Sequence, residues 1–382
     1  MDLNDKLEVK RHVSFLLRCL HLLPQPYTWA DDQRMTLGYF TLASLDLLSS
    51  MDRIPRDERE ELINWVYAQQ SLHGGFRGGP STSEAGANVA MTYSALLILA
   101  ILKDDFKRLD RVGLQRYIRS LQDREGGGFA AEEVTGIEKE GRGMGVGVDR
   151  DPRFTYCAIA ICSMLGEWSS IDIAKAREYL EGCQRYDGGF GASGMHESHS
   201  GMTYCCVAAL SLLPSSTSPF PRQNETLSWI IHRQVFPSSP DPQTHNGEEE
   251  EEEEQEEQEE QEEQEEQEEL GGGFQGRPSK FPADVCYSFW NGAALSILSH
   301  HSLIDAQKDT AYVLSAQSRV GGISKVPGEH PDSLHTYLGL ASLSLHQPAE
   351  GQEGVEFRMK RLDAAYSCSL EAKAWIEQHL TT

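Results

Sequence analysis

Five short glycine motifs recur along this chain, and each one joins two glycines to a phenylalanine or an isoleucine. They are Gly74-Gly75-Phe76, Gly127-Gly128-Phe129, Gly188-Gly189-Phe190, Gly272-Gly273-Phe274 and Gly321-Gly322-Ile323. A helical pattern with a Gln-containing end precedes the motifs, and glycine readily takes the left-handed backbone that ends a helix. The repeat therefore predicts a series of helical hairpins spaced roughly fifty residues apart.

An apolar helix is predicted after each glycine motif. A small or polar residue and an aromatic open these segments, as in Thr92-Tyr93 and Thr203-Tyr204. The residues that follow are apolar on nearly all sides, which is typical of a buried helix. Residues 35–48 form a sixth such segment without preceding glycines. Six buried helices that alternate with amphipathic outer helices predict an all-α fold, and six pairs favour an α/α toroid over an open solenoid. The N-terminal ends of all the buried helices should lie at one end of it.

The predicted toroid takes all 382 residues as one domain, with an insertion at residues 237–270. A Pro/Ser segment opens the insertion, and residues 248–269 then contain 17 Glu and 5 Gln. Self-repulsion and the lack of apolar residues predict a disordered surface excursion, although an acidic tract that holds cations or a basic partner is an alternative. Without those acids the net charge of −25 becomes −8. The absence of a broad basic face argues against nucleic acid as the main partner.

The eight cysteines show no disulfide-like spacing, and several lie in apolar runs where free buried thiols are common. This pattern favours a reducing compartment, so we expect a cytoplasmic protein. The apolar stretch at residues 13–23 is too short for a membrane span. We therefore do not expect an integral membrane protein.

Asp284, Cys286 and His335 offer one carboxylate, one thiolate and one imidazole, a set that suits a zinc ion with an open fourth position. The repeat places them together, because Asp284-Val285-Cys286-Tyr287 takes the place of Ala90-Met91-Thr92-Tyr93, and His335 holds the corresponding place in the last repeat. The three side chains should thus cluster at the starts of two neighbouring buried helices. Taken singly, such residues are more often a helix cap, a buried thiol and a packed imidazole.

A group of basic and polar side chains is expected beside this cluster. Arg277 and Lys280 precede the first two ligands, and His199 opens another buried helix, so it should face the same cavity. Together with Tyr287 they suit a diphosphate, since Arg presents a planar fork and Lys a mobile charge. Each alone is more often a solvated surface group. His330 is a rival metal ligand, but it precedes a proline in a loop and should point elsewhere.

These residues resemble the β subunits of the protein prenyltransferases over about residues 34–345, apart from the acidic insertion. The most specific elements are Gly276-Arg277-Pro278-Ser279-Lys280, Asp284-Val285-Cys286-Tyr287-Ser288-Phe289-Trp290 and His330-Pro331-Asp332-Ser333-Leu334-His335. The resemblance implies an α/α toroid, zinc held by the Asp, Cys and His, and a separate helical α subunit that completes a heterodimer. One extra residue between Lys280 and Asp284 departs from the familiar spacing.

Four further positions resemble the type I geranylgeranyl branch of the family. Thr36 stands where the farnesyl enzyme has a bulky Trp, which leaves room for one more isoprene unit. Phe40 and Leu334 resemble the pocket that the family associates with a C-terminal Leu on the acceptor. Lys325 matches an Asp that helps to hold magnesium in the farnesyl enzyme, so the resemblance implies that magnesium is not required.

The resemblance implies transfer of a geranylgeranyl group from geranylgeranyl diphosphate to the cysteine of C-terminal CaaX motifs, with Leu at X, on Rho- and Rap-type small GTPases. Asp284, Cys286, His335 and Lys325 are the expected catalytic residues. Arg153 and Trp290 should border the peptide and the lipid. The alternatives are a farnesyl or Rab geranylgeranyl β subunit and a non-catalytic helical scaffold. A toroidal terpene cyclase would need an Asp-rich motif, which the folded part lacks.

Overall fold

The computed structural model describes residues 7–22, 30–82, 86–133, 150–214, 220–235, 271–347, 357 and 359–381. These residues contain thirteen α-helices: Val9–His21 (α1), Arg34–Leu47 (α2), Arg56–Ala68 (α3), Val89–Ile101 (α4), Arg111–Leu121 (α5), Pro152–Leu165 (α6), Ile173–Gly182 (α7), Ser200–Leu212 (α8), Gln223–Ile231 (α9), Val285–Ile297 (α10), Ala306–Ser315 (α11), Ser333–Leu345 (α12) and Leu370–His379 (α13). Two short antiparallel strand pairs join them: Ile323–Ser324 (β1) with Pro331–Asp332 (β2), and Leu362–Asp363 (β3) with Cys368–Ser369 (β4).

The even-numbered helices α2 to α12 form a closed inner ring. Each of them packs against the next, and α12 returns to pack against α2. The burial predicted from the apolar sequences of these helices is confirmed, since every residue of α4 except Ala90 is buried. The odd-numbered helices α1 to α11 form the outer layer. The predicted α/α toroid with six inner and six outer helices is therefore confirmed. Helix α13 follows the last inner helix in the sequence and is additional to these twelve.

The glycine motifs lie where an outer helix packs against the preceding hairpin. Gly74 has a φ of +106°, and a Cβ atom there would come within 1.9 Å of the Gly113 carbonyl carbon in α5. Gly321 has a φ of +87°, and a Cβ there would come within 2.1 Å of the Arg11 carbonyl oxygen in α1. Helix α1 thus packs against the last glycine motif as α5 packs against the first. This contact closes the outer layer.

A glutamine just after each of the outer helices α3, α5, α7, α9 and α11 binds the start of the next outer helix. The Gln70 side chain donates to the Gly74 carbonyl (2.9 Å) and accepts from the Asp110 amide (3.2 Å) at the start of α5. In the last repeat, Gln317 accepts from the Glu8 amide (2.9 Å) at the start of α1. The glutamines of the sequence pattern therefore join neighbouring repeats.

The N-cap side chains correct the register predicted for the fourth repeat. Asp284 caps α10 by accepting from the Cys286 amide (2.8 Å), as Asn88 caps α4 by accepting from the Ala90 amide (2.9 Å). Asp284 therefore aligns with Asn88, and its predicted alignment with Ala90 is wrong by two residues. The error arises because Cys286-Tyr287 looks like the Thr-Tyr pairs of the other repeats, whereas the cap fixes where the helix begins.

Aromatic side chains, one from each inner helix, form a ring across the interior. The centroid of Phe289 lies 5.3 Å from that of Tyr204, so Phe289 rather than Tyr287 belongs to this ring. Its other members are Tyr39, Tyr93, Tyr156 and Tyr337.

The C-terminal segment closes the end of the toroid where the inner helices end, since Ser344 donates to the Lys360 carbonyl (2.8 Å).

The predicted insertion at residues 237–270 lies outside the described residues. Val235 and Gly272 flank it, and the Gly272 amide donates to the Val235 carbonyl (2.6 Å), so the insertion leaves and rejoins the fold at one place. That the insertion is disordered and that the whole chain forms one domain stay predictions.

All eight cysteines are buried as free thiols. Among the described residues, no helix combines the length and the apolar character needed to cross a membrane.

Candidate metal centre and cavity

The structure brings Asp284, Cys286 and His335 together. Asp284 and Cys286 lie at the start of α10, and His335 lies in the first turn of the adjacent helix α12. The potential ligand atoms of the three side chains all lie within 4.8 Å of one another. His335 Nε2 is 3.4 Å from Asp284 Oδ1. Both Asp284 and Cys286 are buried, so the cluster sits at the inner wall rather than on the outer surface.

Asp332 holds His335 in this orientation. It is the N-cap of α12, and its Oδ1 accepts from the His335 amide (2.8 Å). Its Oδ2 lies 2.6 Å from His335 Nδ1, so the Nε2 atom is the one left to face Asp284. A carboxylate on the second nitrogen is the usual support of a metal-binding histidine. The prediction from the sequence missed this role, although an Asp three residues before a His at a helix start is a recognisable signal.

The electrostatics and donor atoms of the cluster fit a divalent cation. Burial and the neighbouring Asp284 raise the pKa of the Cys286 thiol well above its ordinary value. Burial opposes protonation of His335, but hydrogen bonds to Asp284 and Asp332 outweigh it and raise its pKa to about 9. A bound divalent cation would reverse both effects, because it favours thiolate and neutral imidazole. One oxygen, one sulfur and one nitrogen donor suit zinc with a fourth position open.

His199 and Tyr287 lie side by side on the neighbouring wall. His199 is the N-cap of α8, where its Nδ1 accepts from the Gly201 amide (3.0 Å) and its Nε2 lies 3.2 Å from Tyr287 Oη. Burial, followed by the charges of Arg277 and Lys280, lowers the pKa of His199 to about 4. The imidazole is therefore neutral, and it donates its Nε2–H to the tyrosine, whose own O–H is left to bind an acceptor.

Three exposed cations surround these groups. Arg277 and Lys280 lie in the loop before α10, and Arg277 Nη1 is 3.5 Å from Glu197 Oε2. Lys325 follows β1, and its carbonyl accepts from the Val285 amide (2.9 Å) at the start of α10. The residues predicted for diphosphate binding thus gather around the starts of α8 and α10, beside the metal cluster. His330 is exposed and lies outside the cluster.

A cavity of about 490 Å³ opens beside the cluster. His335 lines it, and the residues predicted to contact lipid or peptide line it as well: Thr36, Phe40, Arg153, Trp290 and Leu334. The Thr36 hydroxyl lies 3.3 Å from Ser94 Oγ and 3.2 Å from Met91 Sδ. The residues predicted to contact lipid or peptide therefore face a single cavity, and His335 places the candidate metal cluster at its edge.

The cavity also has walls that the sequence prediction missed. The cavity is lined by the tyrosines of the ring of aromatic side chains and by Ser367 from the C-terminal turn. The Thr-Tyr pairs marked the starts of buried helices in the sequence but gave no sign that the aromatic rings meet. Ser367 carried no signal, because it comes from a segment outside the repeat.

Comparisons with known proteins agree with this architecture. Residues 7–368 match the family model of the prenyltransferase alpha-alpha toroid domain. The chain is 31% identical over 368 residues to the geranylgeranyl transferase type-1 subunit beta of Arabidopsis thaliana, with 88% of this chain and 84% of that protein covered. It is also 31% identical over 360 residues to the Dictyostelium discoideum protein of the same name, with 86% and 88% covered.

A solved structure gives independent support for the fold. The Candida albicans protein geranylgeranyltransferase-I complexed with GGPP superposes with a TM-score of 0.80, and the match covers 98% of this chain and 100% of that chain. The two sequences are 24% identical.

Proposed function

The chain belongs to the β subunits of type-1 geranylgeranyl transferases, enzymes of the prenyltransferase toroid family, and we propose that it carries their catalytic site. The proposed reaction moves a geranylgeranyl group from geranylgeranyl diphosphate to the cysteine thiol of proteins that end in Cys-a-a-Leu. The observation that carries this proposal is the position of Asp284, Cys286 and His335 at the edge of the cavity that Thr36 and Leu334 line.

Asp284, Cys286 and His335 would hold one zinc ion, with Asp332 orienting the imidazole. When bound, zinc lowers the pKa of an acceptor thiol from ~8.5 so that thiolate is present at neutral pH. Burial of the cluster excludes water that would compete with the acceptor sulfur.

The basic residues at the mouth would bind the diphosphate. As the acceptor sulfur bonds to the first carbon of the lipid, the carbon–oxygen bond breaks, and its electron pair leaves with the diphosphate. The charge that grows there is neutralised by Arg277, Lys280 and Lys325. His199 donates to the Tyr287 oxygen, so that the Tyr287 O–H can donate to the diphosphate. Lys325 supplies a fixed charge beside Cys286, and this is the reason to propose a reaction that does not require magnesium.

The cavity would select both substrates. Thr36 leaves open the space that an indole would fill, which suits the twenty-carbon donor. Phe40 and Leu334 form an apolar pocket for the last side chain of the acceptor, while Arg153 and Trp290 border the peptide and the lipid. Apolar contact of this kind discriminates modestly between substrates that differ by one isoprene or one side chain.

The proposed assembly is a heterodimer with a separate prenyltransferase α subunit, and the proposed acceptors are Rho- and Rap-type small GTPases in the cytoplasm. The type-1 relatives carry the name "subunit beta", and this name supports a partner chain. The geranylgeranyl diphosphate bound in the Candida albicans enzyme supports the choice of donor.

The proposal is tested with the chain co-expressed with an α subunit. Labelled fifteen- and twenty-carbon diphosphates compete for transfer to peptides ending in Cys-a-a-Leu or Cys-a-a-Ser, in magnesium-free buffer. We expect the twenty-carbon donor and the Leu peptide to be preferred. Cys286→Ser should reduce transfer about 100-fold or more, because the metal site loses a ligand.

Cys162→Ser is the matched control, since Cys162 is also a buried thiol, in α6 and outside the cluster. Its transfer rate should stay near that of the wild type. Preference for the fifteen-carbon donor would favour a farnesyl enzyme instead. Full activity of Cys286→Ser would contradict the proposed catalytic site.

A further inference from the structure

A tyrosine of the outer layer supports the backbone in front of the metal cluster. Tyr312 of α11 is buried, and its hydroxyl donates to the Ala283 carbonyl (2.5 Å). Ala283 directly precedes Asp284, which is both the N-cap of α10 and a candidate metal ligand. The ring fits there because Gly273 has no side chain, since a Cβ atom at Gly273 would come within 2.5 Å of it. The hydrogen bond therefore fixes the backbone from which the Asp284 carboxylate extends.

Asp309, which lies three residues before Tyr312 on α11, holds the other side of the ligand pair. Its carboxylate is fully buried, and its Oδ1 accepts from Ser288 Oγ (2.5 Å) in α10. Ser288 lies two residues after Cys286, so the two side chains leave α10 on different sides. A bond on the outer side of α10 restricts rotation of the helix about its axis. Such a rotation would move the Cys286 sulfur relative to the other two ligands.

The same carboxylate also holds the helix that carries the third ligand. Asp309 Oδ2 accepts from Ser342 Oγ (3.1 Å) and lies 2.6 Å from His346 Nε2. Ser342 follows His335 on α12 by about two turns. A buried carboxylate needs such partners, because an unpaired one is costly. One side chain of α11 is thus bonded to both inner helices whose starts form the metal cluster.

The first hairpin contains the tyrosine without the carboxylate. Tyr117 of α5 donates to the Ala87 carbonyl (2.8 Å), which directly precedes the N-cap residue of α4. Leu114, a buried apolar residue, lies three residues before this tyrosine, where α11 has Asp309. Packing of an outer helix against the ring therefore does not by itself require a carboxylate at this place. The carboxylate is found in α11, the outer helix that contacts both ligand-bearing helices.

We propose that Asp309 and Tyr312 are positioning residues of the metal centre, which hold Asp284, Cys286 and His335 at the spacing that a zinc ion needs. This inference rests on the proposed function and adds a support in the outer layer to it. Asp309 acts through the two inner helices, and Tyr312 acts through the backbone in front of α10. Ligands that are held in place before the ion arrives bind it more tightly, because less free energy is lost in ordering them.

The experiment uses the complex with its α subunit and measures zinc affinity by competition with a chelator. Tyr312→Phe removes the bond to the backbone and keeps the ring, whereas Ser288→Ala removes one bond to Asp309. In each variant we expect the zinc affinity to fall about three- to tenfold, the effect of about one lost hydrogen bond. The rise in melting temperature that zinc gives to the metal-free complex should become smaller as well.

Tyr117→Phe is the matched control, because it removes the equivalent bond in the first hairpin, outside the metal cluster. Its zinc affinity should equal that of the wild type, even if its melting temperature falls. If Ser288→Ala does not fold, Ser342→Ala removes a bond to Asp309 on α12 and should also weaken zinc binding. Wild-type zinc affinity in all folded variants, whatever their melting temperatures, would overturn the inference. Failure of the wild-type complex to bind zinc would instead overturn the proposed function.

Discussion

At the scale of single residues, the candidate metal centre depends on a side chain outside the ligand set. Asp332 caps α12 with one oxygen and contacts His335 Nδ1 with the other. One residue therefore fixes both the start of the helix and the direction of the imidazole. The ligand types were visible in the sequence, but this double contact depends on the helix start.

Asp332→Asn should weaken metal binding. An amide still accepts from the His335 backbone, so α12 keeps its cap, but the charged contact to Nδ1 is lost. The expected fall in zinc affinity is about 10- to 100-fold, measured by competition with a chelator. Asp110→Asn, at the cap of α5, should leave the affinity unchanged. Equal affinity of Asp332→Asn and the wild type would contradict the role of Asp332.

Thr36→Trp should shift the donor preference towards the fifteen-carbon lipid. Thr36 lines the cavity and contacts Ser94, so an indole there would fill space that the fourth isoprene unit needs. We expect the ratio of kcat/KM for the twenty-carbon donor to that for the fifteen-carbon donor to fall about 10-fold or more. Thr36→Val, which keeps the size, should retain the original preference. An unchanged ratio in Thr36→Trp would show that lipid length is set elsewhere.

At the scale of secondary-structure elements, each joint between repeats combines a glycine with positive φ and a glutamine. The glycine allows the next outer helix to approach, and the glutamine hydrogen bonds to its first turn. In the last joint, α1 is the approaching helix, and His12 adds a bond to the Gly322 amide (3.0 Å). Helix α1 therefore closes the outer layer by contacts with the last glycine motif, about 310 residues later in the sequence.

Gly321→Ala should destabilise the protein. The added Cβ would lie 2.1 Å from the Arg11 carbonyl oxygen, at a φ of +87°. The expected loss in the free energy of unfolding is about 2 kcal/mol or more, seen as a lower melting temperature. Gly182→Ala is the control, since a Cβ there meets nothing within 4 Å. Similar melting temperatures for the two variants would contradict this packing.

Acid should weaken the attachment of α1. Burial lowers the pKa of His12, with the Gln317 hydrogen bond opposing this effect. The folded state therefore binds fewer protons than the unfolded state below pH ~6.5, so this contribution is intact above pH ~6.5 and declines as the pH falls, by up to ~1.4 kcal/mol per pH unit. We expect His12→Gln to lose less thermal stability than the wild type between pH 7 and pH 5. Parallel losses in the two proteins would contradict the assignment.

At the scale of the whole molecule, the repeat was sufficient to predict the toroid but not what fills its closed end. The glycine motifs and the apolar helices each arise from contacts within one or two repeats, so their pattern is visible locally. The tie of Tyr204 to Ala364 spans 160 residues, and no local pattern marks it. The two-residue error at Asp284 has a different origin, because the similarity of Cys286-Tyr287 to the Thr-Tyr pairs outweighed the local cap.

The metal cluster was predicted largely because its residues lie at the starts of neighbouring inner helices, α10 and α12, which had to meet once the ring closed. Thr36 and Leu334 were predicted from the resemblance to the family, and both line the cavity. Asp332 and Ser367 were missed, since one acts through another residue and the other lies beyond the repeats.

The most direct test of the proposed metal centre is the zinc content of the purified complex, measured by elemental analysis. We expect one zinc per β chain in the wild type and in Cys183→Ala, a buried cysteine outside the cluster, and almost none in Cys286→Ala. Wild-type protein without zinc, or full zinc content in Cys286→Ala, would contradict a metal centre built from Asp284, Cys286 and His335.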